Sequence, residues 1–384
     1  MIAIENKELC CGCSACASIC PKHCISMQED REGFLYPIVD ENQCVDCGEC
    51  ERVCHELHPD GERSPIKVLA AVNTDEDVRM RSSSGGVFYS LAERAISEGG
   101  VVFGARFDEH WQVAIDYAET LEGVKAFMGS KYVQARIETA YTDTKRFLQE
   151  GRKVLFSGTP CQIAGLHHFL KKGYDNLTTV DVICHGVPSP KVWRKYINEI
   201  CGSQATITSV NFRDKTNGWS DYNVCVRYKS ENVVKELQTK ATKDVFMRGF
   251  LADFTTRPSC YACKAKKGRS HSDITLGDFW GIDNVFPDMN DEKGTSVVVI
   301  HTEKGRRCVE ELGMKTKETS LDMLKRYNPS YLRSAPRHPK RDEFFARIEK
   351  EKLTKVIDDC TKPTIKQRIK SLLRKIAMRI KMER

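Results

Sequence analysis

The sequence predicts a small α+β domain rich in cysteine, then a larger α/β domain with a mixed, largely parallel sheet, and a basic helix at the C-terminus. Ten of the 18 cysteines precede residue 55, and most of them repeat one spacing. Beyond residue 66, short apolar segments alternate with segments of helical spacing, which is typical of parallel strands covered by helices. The last 22 residues hold eight Lys or Arg and one Glu, a balance equal to the whole net charge of +7. We therefore place the three units at 1–58, 66–340 and 363–384.

The composition is that of a folded chain. At 384 residues it is longer than one ordinary domain, and 29% charged residues without a biased tract argue against disorder. No run of about 18 apolar residues is present, which excludes a membrane-spanning helix. The first residues lack the apolar core of a secretory signal, so we expect a cytoplasmic protein with reduced thiols. The cysteines therefore need an explanation other than disulfides.

Two cysteine motifs with the spacing C-x2-C-x2-C-x3-C lie 34 residues apart. Their members are Cys10, Cys13, Cys16 and Cys20 in the first motif, and Cys44, Cys47, Cys50 and Cys54 in the second. This is the spacing of bacterial ferredoxins with two 4Fe–4S clusters, in which the fourth cysteine of each motif ligates the other cluster. We therefore expect a ferredoxin-like domain in which Cys54 completes the first set of ligands and Cys20 completes the second.

A pair of structural zinc sites is the alternative, because zinc also binds C-x2-C pairs. Three cysteines at successive two-residue gaps, followed by a fourth at three residues, fit zinc knuckles poorly, so iron–sulfur ligation is favoured. The second motif departs from the usual pattern, since His55 follows its last cysteine where the first motif has Pro21. Cys11 and Cys24 lie outside the spacing and are interpreted as spare thiols.

The rest of the chain alternates between strand and helix patterns. The segment 55–65 is polar, with two prolines and a glycine, and is interpreted as a linker. Apolar runs predict strands at 68–72, 101–105, 153–156, 178–183, 223–228 and 296–301. Apolar residues at helical spacing predict helices at 87–97, 137–149 and 162–170. This order favours a largely parallel sheet up to residue 183 and a more mixed region after it.

Three junctions between a strand and a helix carry groups suited to chemistry. The Ser-Ser-Ser-Gly-Gly segment at 82–86 opens a predicted helix, where hydroxyls and backbone amides could hold a phosphate; an N-cap with a glycine hinge is the alternative. Cys161 and Cys184 each follow a predicted strand. Because ligands of open parallel sheets gather at the carboxyl ends of the strands, we expect both thiols at that edge. His185 could relay a proton there, although a hydrogen-bonded structural histidine is the favoured interpretation.

Cys260 and Cys263 form a further C-x2-C pair in a predicted loop. Together with Cys161 and Cys184 they could hold a third 4Fe–4S cluster. The alternative is that Cys161 and Cys184 are buried apolar side chains, while the pair binds zinc or nothing. The loop also carries positive charges that could offset those of four thiolates: Arg257, Lys264, Lys266, Lys267 and Arg269. The remaining cysteines are expected to pack in the core: Cys201, Cys225, Cys308 and Cys360.

These motifs, in this order, resemble the beta subunits of coenzyme F420 hydrogenases and dehydrogenases, in the form with a fused two-cluster ferredoxin domain. The resemblance spans about residues 10–340. It rests on the double cysteine motif, on the pair at 260–263, and on five segments. These segments are 83–87, 129–134, 157–162, 184–189 and 273–281.

The resemblance implies an iron–sulfur flavoprotein oxidoreductase that binds FAD in its α/β domain. Electrons would pass between the clusters and the flavin, and then to or from a small two-electron acceptor, which in the namesake members is coenzyme F420. By analogy, one group of residues would hold the flavin phosphate and another would contact the flavin. The first group is Ser83, Ser84, Gly85 and Gly86, and the second is Lys131, Tyr132 and Gln134. No catalytic residue follows from the resemblance.

The function itself stays open between two classes. The chain is either an oxidoreductase acting on a small molecule, or an electron-transfer subunit that serves a partner enzyme and exchanges electrons with a redox partner protein or a ferredoxin. A zinc-dependent nucleic-acid binder is disfavoured, because the charge is balanced up to residue 362. The basic tail has apolar residues at helical spacing, so it could lie peripherally on the inner membrane surface, dock onto an acidic partner or pack on its own body.

Overall fold

The computed structural model describes residues 1–231 and 233–362. The predicted basic helix at 363–384 lies outside the described residues. Within the described ranges, no helix combines the length and the apolar character that crossing a membrane requires.

Three sheets organise the described chain. The strands are β1 (Ile25–Glu29), β2 (Leu35–Val39), β3 (Lys67–Val72), β4 (Val101–Phe107), β5 (Val113–Ala118), β6 (Val154–Gly158), β7 (Leu177–Val182), β8 (Thr206–Asp214), β9 (Asn223–Ser230), β10 (Val233–Lys240), β11 (Ile274–Asp278), β12 (Ser296–Ile300) and β13 (Lys315–Thr319). Strands β1 and β2 form an antiparallel hairpin, and β10, β9 and β8 form a three-stranded antiparallel sheet. The largest sheet has eight strands in the order β13-β3-β12-β11-β7-β6-β4-β5.

The helices cover this large sheet and connect its strands. They are α1 (Ala15–Ile19), α2 (Glu49–Arg52), α3 (Glu76–Arg81), α4 (Val87–Ser97), α5 (Leu121–Val124), α6 (Ala140–Gln149), α7 (Pro160–Leu170), α8 (Pro190–Cys201), α9 (Val245–Leu251), α10 (Ile282–Val285), α11 (Glu303–Glu310), α12 (Leu321–Tyr327), α13 (Arg341–Arg347) and α14 (Leu353–Thr361). Helix α7 shows why a helix starts where it does. Thr159 and Gln162 form a capping box, and Pro160 occupies the first turn, where no backbone donor is lost.

The large sheet has a parallel centre and antiparallel flanks. Strands β11, β7, β6 and β4 are parallel neighbours, whereas β5 on one side and β12, β3 and β13 on the other are antiparallel to their neighbours. Strand β3 runs in the same direction as the central four, because one antiparallel strand separates it from β11. The mixed α/β architecture predicted for this domain is therefore confirmed. The carboxyl ends of β3, β4, β6, β7 and β11 share one edge of the sheet.

The small domain has a small apolar cluster of its own around its cysteines, and the side that faces the large domain shares the core of that domain. Phe34 and Val53, both nearly inaccessible to solvent, pack into the cluster that contains Phe103, Tyr141 and Trp193 of the larger domain. The two predicted units are therefore joined by a continuous core. The first cysteine motif lies next to the carboxyl edge of the large sheet, where Cys11 meets Cys161 of α7.

Candidate redox site

Each cysteine motif of the small domain folds into a loop that is turned by two residues in the left-handed conformation. In the first motif, Gly12 and Ser14 have φ angles of 71° and 61°. In the second motif, Asp46 and Gly48 stand at the equivalent positions, with φ angles of 48° and 73°. The 34-residue repeat of the sequence is therefore also a repeat of the backbone.

The fourth cysteine of each motif lies with the other motif. Cys20 lines a small cavity together with the first three cysteines of the second motif. Cys54 lies beside the first three cysteines of the first motif: burial raises the pKa of Cys16, and the nearby charges of Cys13, Cys10 and Cys54 raise it further. The structure thus brings together two sets of four thiols. They are Cys10, Cys13, Cys16 and Cys54 in the proximal set, and Cys20, Cys44, Cys47 and Cys50 in the distal set.

The spacing of these thiols suits a group larger than a single ion. Zinc binds cysteine sulfur at about 2.3 Å, so the sulfurs of a tetrahedral zinc site lie about 3.8 Å apart. Among the described residues, the one group of three ligands whose atoms all lie within 4.8 Å of one another is Cys11, Cys13 and His55. Neither set of four forms so tight a group. The all-thiolate donors at this wider spacing fit iron–sulfur clusters and do not fit zinc.

Four further thiols meet at the carboxyl edge of the large sheet. Cys161 lies in the first turn of α7 and Cys184 follows β7, while Cys260 and Cys263 belong to a 3-10 turn and the residue after it. Burial raises the pKa of Cys260, and the charges of Cys184, Cys263 and Cys161 raise it further. We call these four the sheet-edge set. Residues that are about 100 positions apart in sequence are thus assembled into a donor set of the kind that a third cluster needs.

Cys11 and His55 lie between the proximal set and the sheet-edge set. Cys11 is buried, and its Sγ is 3.0 Å from Nε2 of His55. Hydrogen bonds with Cys13 and with Cys161 raise the pKa of the Cys11 thiol. Cys11, which the sequence suggested to be a spare thiol, therefore contacts one member of each set. His55, which replaces the usual proline, is 2% exposed and packs in the same contact region.

Four of the five positive charges of the 257–269 loop fall into two groups, and the fifth, Lys264, lies beside Glu56. Lys267 and Arg269 both pair at the surface with Glu62, so their charges are already balanced. Arg257 and Lys266 are buried, and the described structure gives neither of them a carboxylate partner. Lys266 donates to the backbone oxygen of Cys184, and Arg257 reaches the proximal set. Two buried cations thus remain to offset negative charge on the thiol sets.

A cavity of about 480 Å³ opens at the same sheet edge. Its floor includes residues at the ends of the central strands: Ala105, Ser157, Gly158, Val182, Ile183, Leu276, Gly277 and Asp278. Apolar and aromatic side chains form much of its wall: Phe88, Phe127, Met247, Phe250, Tyr132, Tyr222 and Trp280. Cys184 and His185 also line it, so the cavity touches one of the sheet-edge thiols directly. Concave, mostly apolar sites with a few polar groups at this edge are typical of cofactor binding.

Five of the seven residues expected to contact a flavin line this cavity. They are Ser83, Ser84, Gly86, Lys131 and Tyr132. Gly85 lies behind the cavity wall, and a Cβ there would come within 2.4 Å of the backbone oxygen of Ala71. Gln134 points to the small domain instead, where its Nε2 donates to the oxygen of Cys11 and its Oε1 accepts from Arg257.

Two family models match parts of the chain. Residues 151–322 match the C terminus of the coenzyme F420 hydrogenase/dehydrogenase beta subunit, and residues 9–56 match the 4Fe–4S dicluster domain. Residues 151–322 are thus similar to the C-terminal part of the coenzyme F420 hydrogenase/dehydrogenase beta subunit family. A similar solved chain, 18% identical with a TM-score of 0.46, comes from the F420-reducing NiFe hydrogenase complex of Methanosarcina barkeri; the similarity covers 71% of this chain and 90% of that one. No curated protein matches the chain.

The family matches confirm the resemblance drawn from the sequence motifs. The small unit is a 4Fe–4S dicluster domain, which makes the chain an iron–sulfur protein of an oxidoreductase family. The thiols of its two motifs are the ligands that such clusters require.

The N-terminus of α4 faces the cavity without a side-chain cap. Gly86, with φ of 85°, precedes the first turn, and Val87 and Phe88 of that turn line the cavity. The nearby hydroxyls are occupied elsewhere: Ser83 shares a 2.8 Å hydrogen bond with Ser130, and Ser84 donates to the oxygen of Thr295. The free backbone N–H groups of the first turn are therefore available to an anion in the cavity.

The residues that line the cavity include charged and unpaired polar groups. Arg213 makes a buried ion pair with Asp278, whose Oδ2 is 2.8 Å from Nη1. Nε of Arg213 and Nδ2 of Asn328 are buried without a hydrogen-bond partner among the described residues, which is uncommon in folded proteins. Burial lowers the pKa of Lys131 to about 7, and its Nζ donates to the oxygens of Ala126 and Met128. Arg213 was not found from the sequence, since nothing near it forms a motif.

His185 is part of a pair with Asp253. Its Nε2 is 2.7 Å from Oδ1 of Asp253, and its ring packs edge-on against Phe250. The predicted hydrogen-bonded role is therefore what the structure shows, although the ring also lines the cavity. Asp253 has φ of 62° and had no sequence signal, because its partner is 68 residues away.

Proposed function

We propose that the chain is an iron–sulfur flavoprotein oxidoreductase that passes electrons between 4Fe–4S clusters and FAD, and then to or from a small two-electron acceptor such as coenzyme F420. One observation carries the proposal: Cys184 lines the cavity and also belongs to the sheet-edge set. That set continues through Cys161 and Cys11 to the dicluster domain. A line of thiols thus leads from the dicluster domain to the cavity wall.

The cavity residues fit the two ends of a dinucleotide flavin. The uncapped start of α4 suits the phosphates, because free N–H groups and the helix dipole favour an anion. The aromatic wall, with Tyr132, Phe250 and Trp280, suits a planar ring system. Flavin supplies the conversion between hydride transfer and single-electron transfer. The enclosing side chains would orient the ring towards Cys184 and exclude water from it.

A third cluster in the sheet-edge set belongs to the same proposal. Its support is the meeting of four thiols next to two buried cations that lack carboxylate partners among the described residues. Measurement of iron, acid-labile sulfide, zinc and flavin in one anaerobic preparation tests both cofactors. We expect about twelve irons and one flavin per chain, and about eight irons would restrict the chain to two clusters. Zinc in place of iron would refute the redox function.

A pair of matched glycine variants tests the flavin site. Gly129 lines the cavity and Gly151 lies at the surface, yet both have φ of 78°, and a Cβ added at either position would meet no atom within 4 Å. Gly129→Asp therefore places a carboxylate in the cavity, and Gly151→Asp adds the same strain elsewhere. We expect Gly129→Asp to lose flavin and keep its iron, while Gly151→Asp keeps both. Equal flavin content in the two variants would contradict the assignment of this cavity.

The alternative is an electron-transfer subunit that serves a partner enzyme. It is favoured by Cys47 of the distal set, which is exposed and so leaves that set open to a partner protein or a ferredoxin. An assay of the isolated chain decides between an enzyme and an electron-transfer subunit. Reduction of F420 or another small acceptor by the isolated chain, with dithionite as the electron source, shows an enzyme. Turnover that appears only with a second polypeptide shows a subunit.

We also propose a cytoplasmic location, because eighteen cysteines that form no disulfide in the described structure suit a reducing compartment. Residues 363–384 would then provide peripheral contact with an anionic inner membrane surface. Co-sedimentation with anionic liposomes, with and without these residues, tests the contact. Equal sedimentation of the two proteins would dismiss it.

A further inference from the structure

Arg257 is a buried cation with unusual partners. The residue is 0% exposed. Its guanidinium donates to the oxygens of Cys10 and Leu35 at 2.8 and 2.9 Å, and to Oε1 of Gln134 at 3.0 Å. All three acceptors are uncharged, and no carboxylate pairs with Arg257 among the residues that the structure describes. Since a buried charge is costly unless an opposite charge balances it, the structure must place an anion near this side chain.

A thiol of the proximal set lies in contact with the guanidinium. Nη2 of Arg257 lies 3.6 Å from Sγ of Cys10, a member of the proximal set. Burial by itself lowers the pKa of Arg257, but the charges of Cys10, Tyr36, Cys11 and Cys260 raise it beyond its ordinary value. The Arg257 side chain therefore contacts the proximal set, and its backbone oxygen accepts a hydrogen bond from the N–H of Cys260 in the sheet-edge set.

The surroundings hold the guanidinium in this position. Its plane packs over the rings of Tyr36 and Phe34, with centroid distances of 4.3 and 5.5 Å. Gly12, between the first two cysteines of the motif, leaves space for the guanidinium, because a Cβ at this position would come within 2.8 Å of Nη1. Arginine fits such a site better than lysine does, because its planar fork makes several fixed hydrogen bonds at once.

We propose that Arg257 is a positioning residue that balances the charge of the proximal cluster and raises the reduction potential of that cluster above the value it would have without this cation. Reduction adds an electron, and a cation in a medium of low dielectric stabilises the added charge. The distal set, which is open to solvent at Cys47, receives no such contact from Arg257. The inference concerns the dicluster domain, so it stands whether or not the cavity binds a flavin.

The test compares three variants of the full-length protein, prepared anaerobically. Arg257→Gln removes the charge and keeps a polar side chain, whereas Arg257→Lys keeps the charge and loses the planar guanidinium group. Arg269→Gln removes a charge from the same loop that Glu62 already balances at the surface. Each protein is titrated with dithionite in the presence of mediators, and the clusters are followed by electron paramagnetic resonance. Cys47→Ser identifies the signal of the distal cluster.

We expect Arg257→Gln to lower the midpoint potential of the proximal cluster and to leave the midpoint potential of the distal cluster unchanged. In Arg257→Lys the midpoint potential of the proximal cluster should stay close to the wild-type value, and in Arg269→Gln it should not shift. Unchanged potentials in an Arg257→Gln protein with full iron content would overturn the proposal, as would equal shifts in the Gln and Lys variants. If Arg257→Gln fails to retain the proximal cluster, retention with a near-normal potential in Arg257→Lys supports the role of charge. Loss of that cluster from both variants overturns it.

Discussion

At the scale of single residues, Asp181 links burial to the pH dependence of stability. Burial raises the pKa of this carboxyl group to about 6, although Ser270 donates a hydrogen bond to its Oδ2. The value in the unfolded chain is about 3.9. Because the folded pKa is the higher one, the folded state favours the protonated form, and stability falls as the pH rises from about 4 through 6.

Asp181→Asn removes this ionisation and keeps an acceptor for Ser270. We expect the variant to be more stable than the wild type at pH 8, with a gain about 1 kcal/mol larger than at pH 5. Anaerobic denaturant unfolding at the two pH values measures the difference. Asp175→Asn, at the surface, is the control. A gain that is the same at both pH values would show that the side chain acts through packing alone.

The residues of the redox site differ in how far the sequence reveals them. The two cysteine motifs were predictable, because their ligands are set by short, fixed spacings. Cys11 and His55 were not, because their contact joins residues 44 positions apart and depends on how the two motifs fold together. Arg257 lies in a basic segment that the sequence does mark, but 247 residues separate it from Cys10. No local pattern distinguishes it from Arg269, whose charge is balanced at the surface.

At the scale of elements, helix α7 fixes the position of the proximal set through Gly165. A Cβ at this position would lie 2.8 Å from the Tyr141 hydroxyl oxygen and 2.9 Å from Sγ of Cys13. The close approach of α7 to the cysteine loop therefore depends on the missing side chain. Tyr141 is fully buried and has no room to withdraw, so the added Cβ would press on the cysteine loop.

Gly165→Ala is expected to displace Cys13 and to lower the iron and sulfide content per chain. The overpacking should also cost about 1–3 kcal/mol of the free energy of unfolding, although alanine is the better helix former. Gly173→Ala, where the added Cβ meets open space, should leave iron and stability nearly unchanged. Full iron content in Gly165→Ala protein would show that the loop can shift without losing its ligand.

Elements were predictable where burial made their pattern strong. The predicted helix at 87–97 has the bounds of α4, and the apolar runs at 178–183 and 296–301 correspond closely to β7 and β12. Strands β10 and β13 went unpredicted, because most or all of their side chains are exposed and carry no apolar alternation. They form at sheet edges, where pairing with a neighbouring strand decides the conformation.

At the scale of the whole molecule, a buried ion pair ties the dicluster domain to the C-terminal helices. Arg341 in α13 donates from Nη1 and Nη2 to the two carboxylate oxygens of Glu32, and the two side chains are 2% and 7% exposed. Arg341 also donates to the oxygen of Thr256, next to Arg257. The cluster domain is thus held by a residue 309 positions away, which agrees with the apolar core that it shares with the large domain.

Arg341→Met should cost about 3–5 kcal/mol of the free energy of unfolding, because it leaves the carboxylate of Glu32 buried and unpaired. The double variant Glu32→Gln/Arg341→Met should be less destabilised than Arg341→Met alone, since it removes that charge as well. Arg306→Met, which breaks surface pairs with Glu303 and Glu310, should cost about 0–1 kcal/mol.

Anaerobic denaturant unfolding, followed by cluster absorbance and by tryptophan fluorescence, measures the wild type and the three variants. Coincident transitions would show that the cluster domain unfolds with the sheet, as a continuous core requires. Loss of cluster absorbance well before the fluorescence change in the wild type would contradict that coupling.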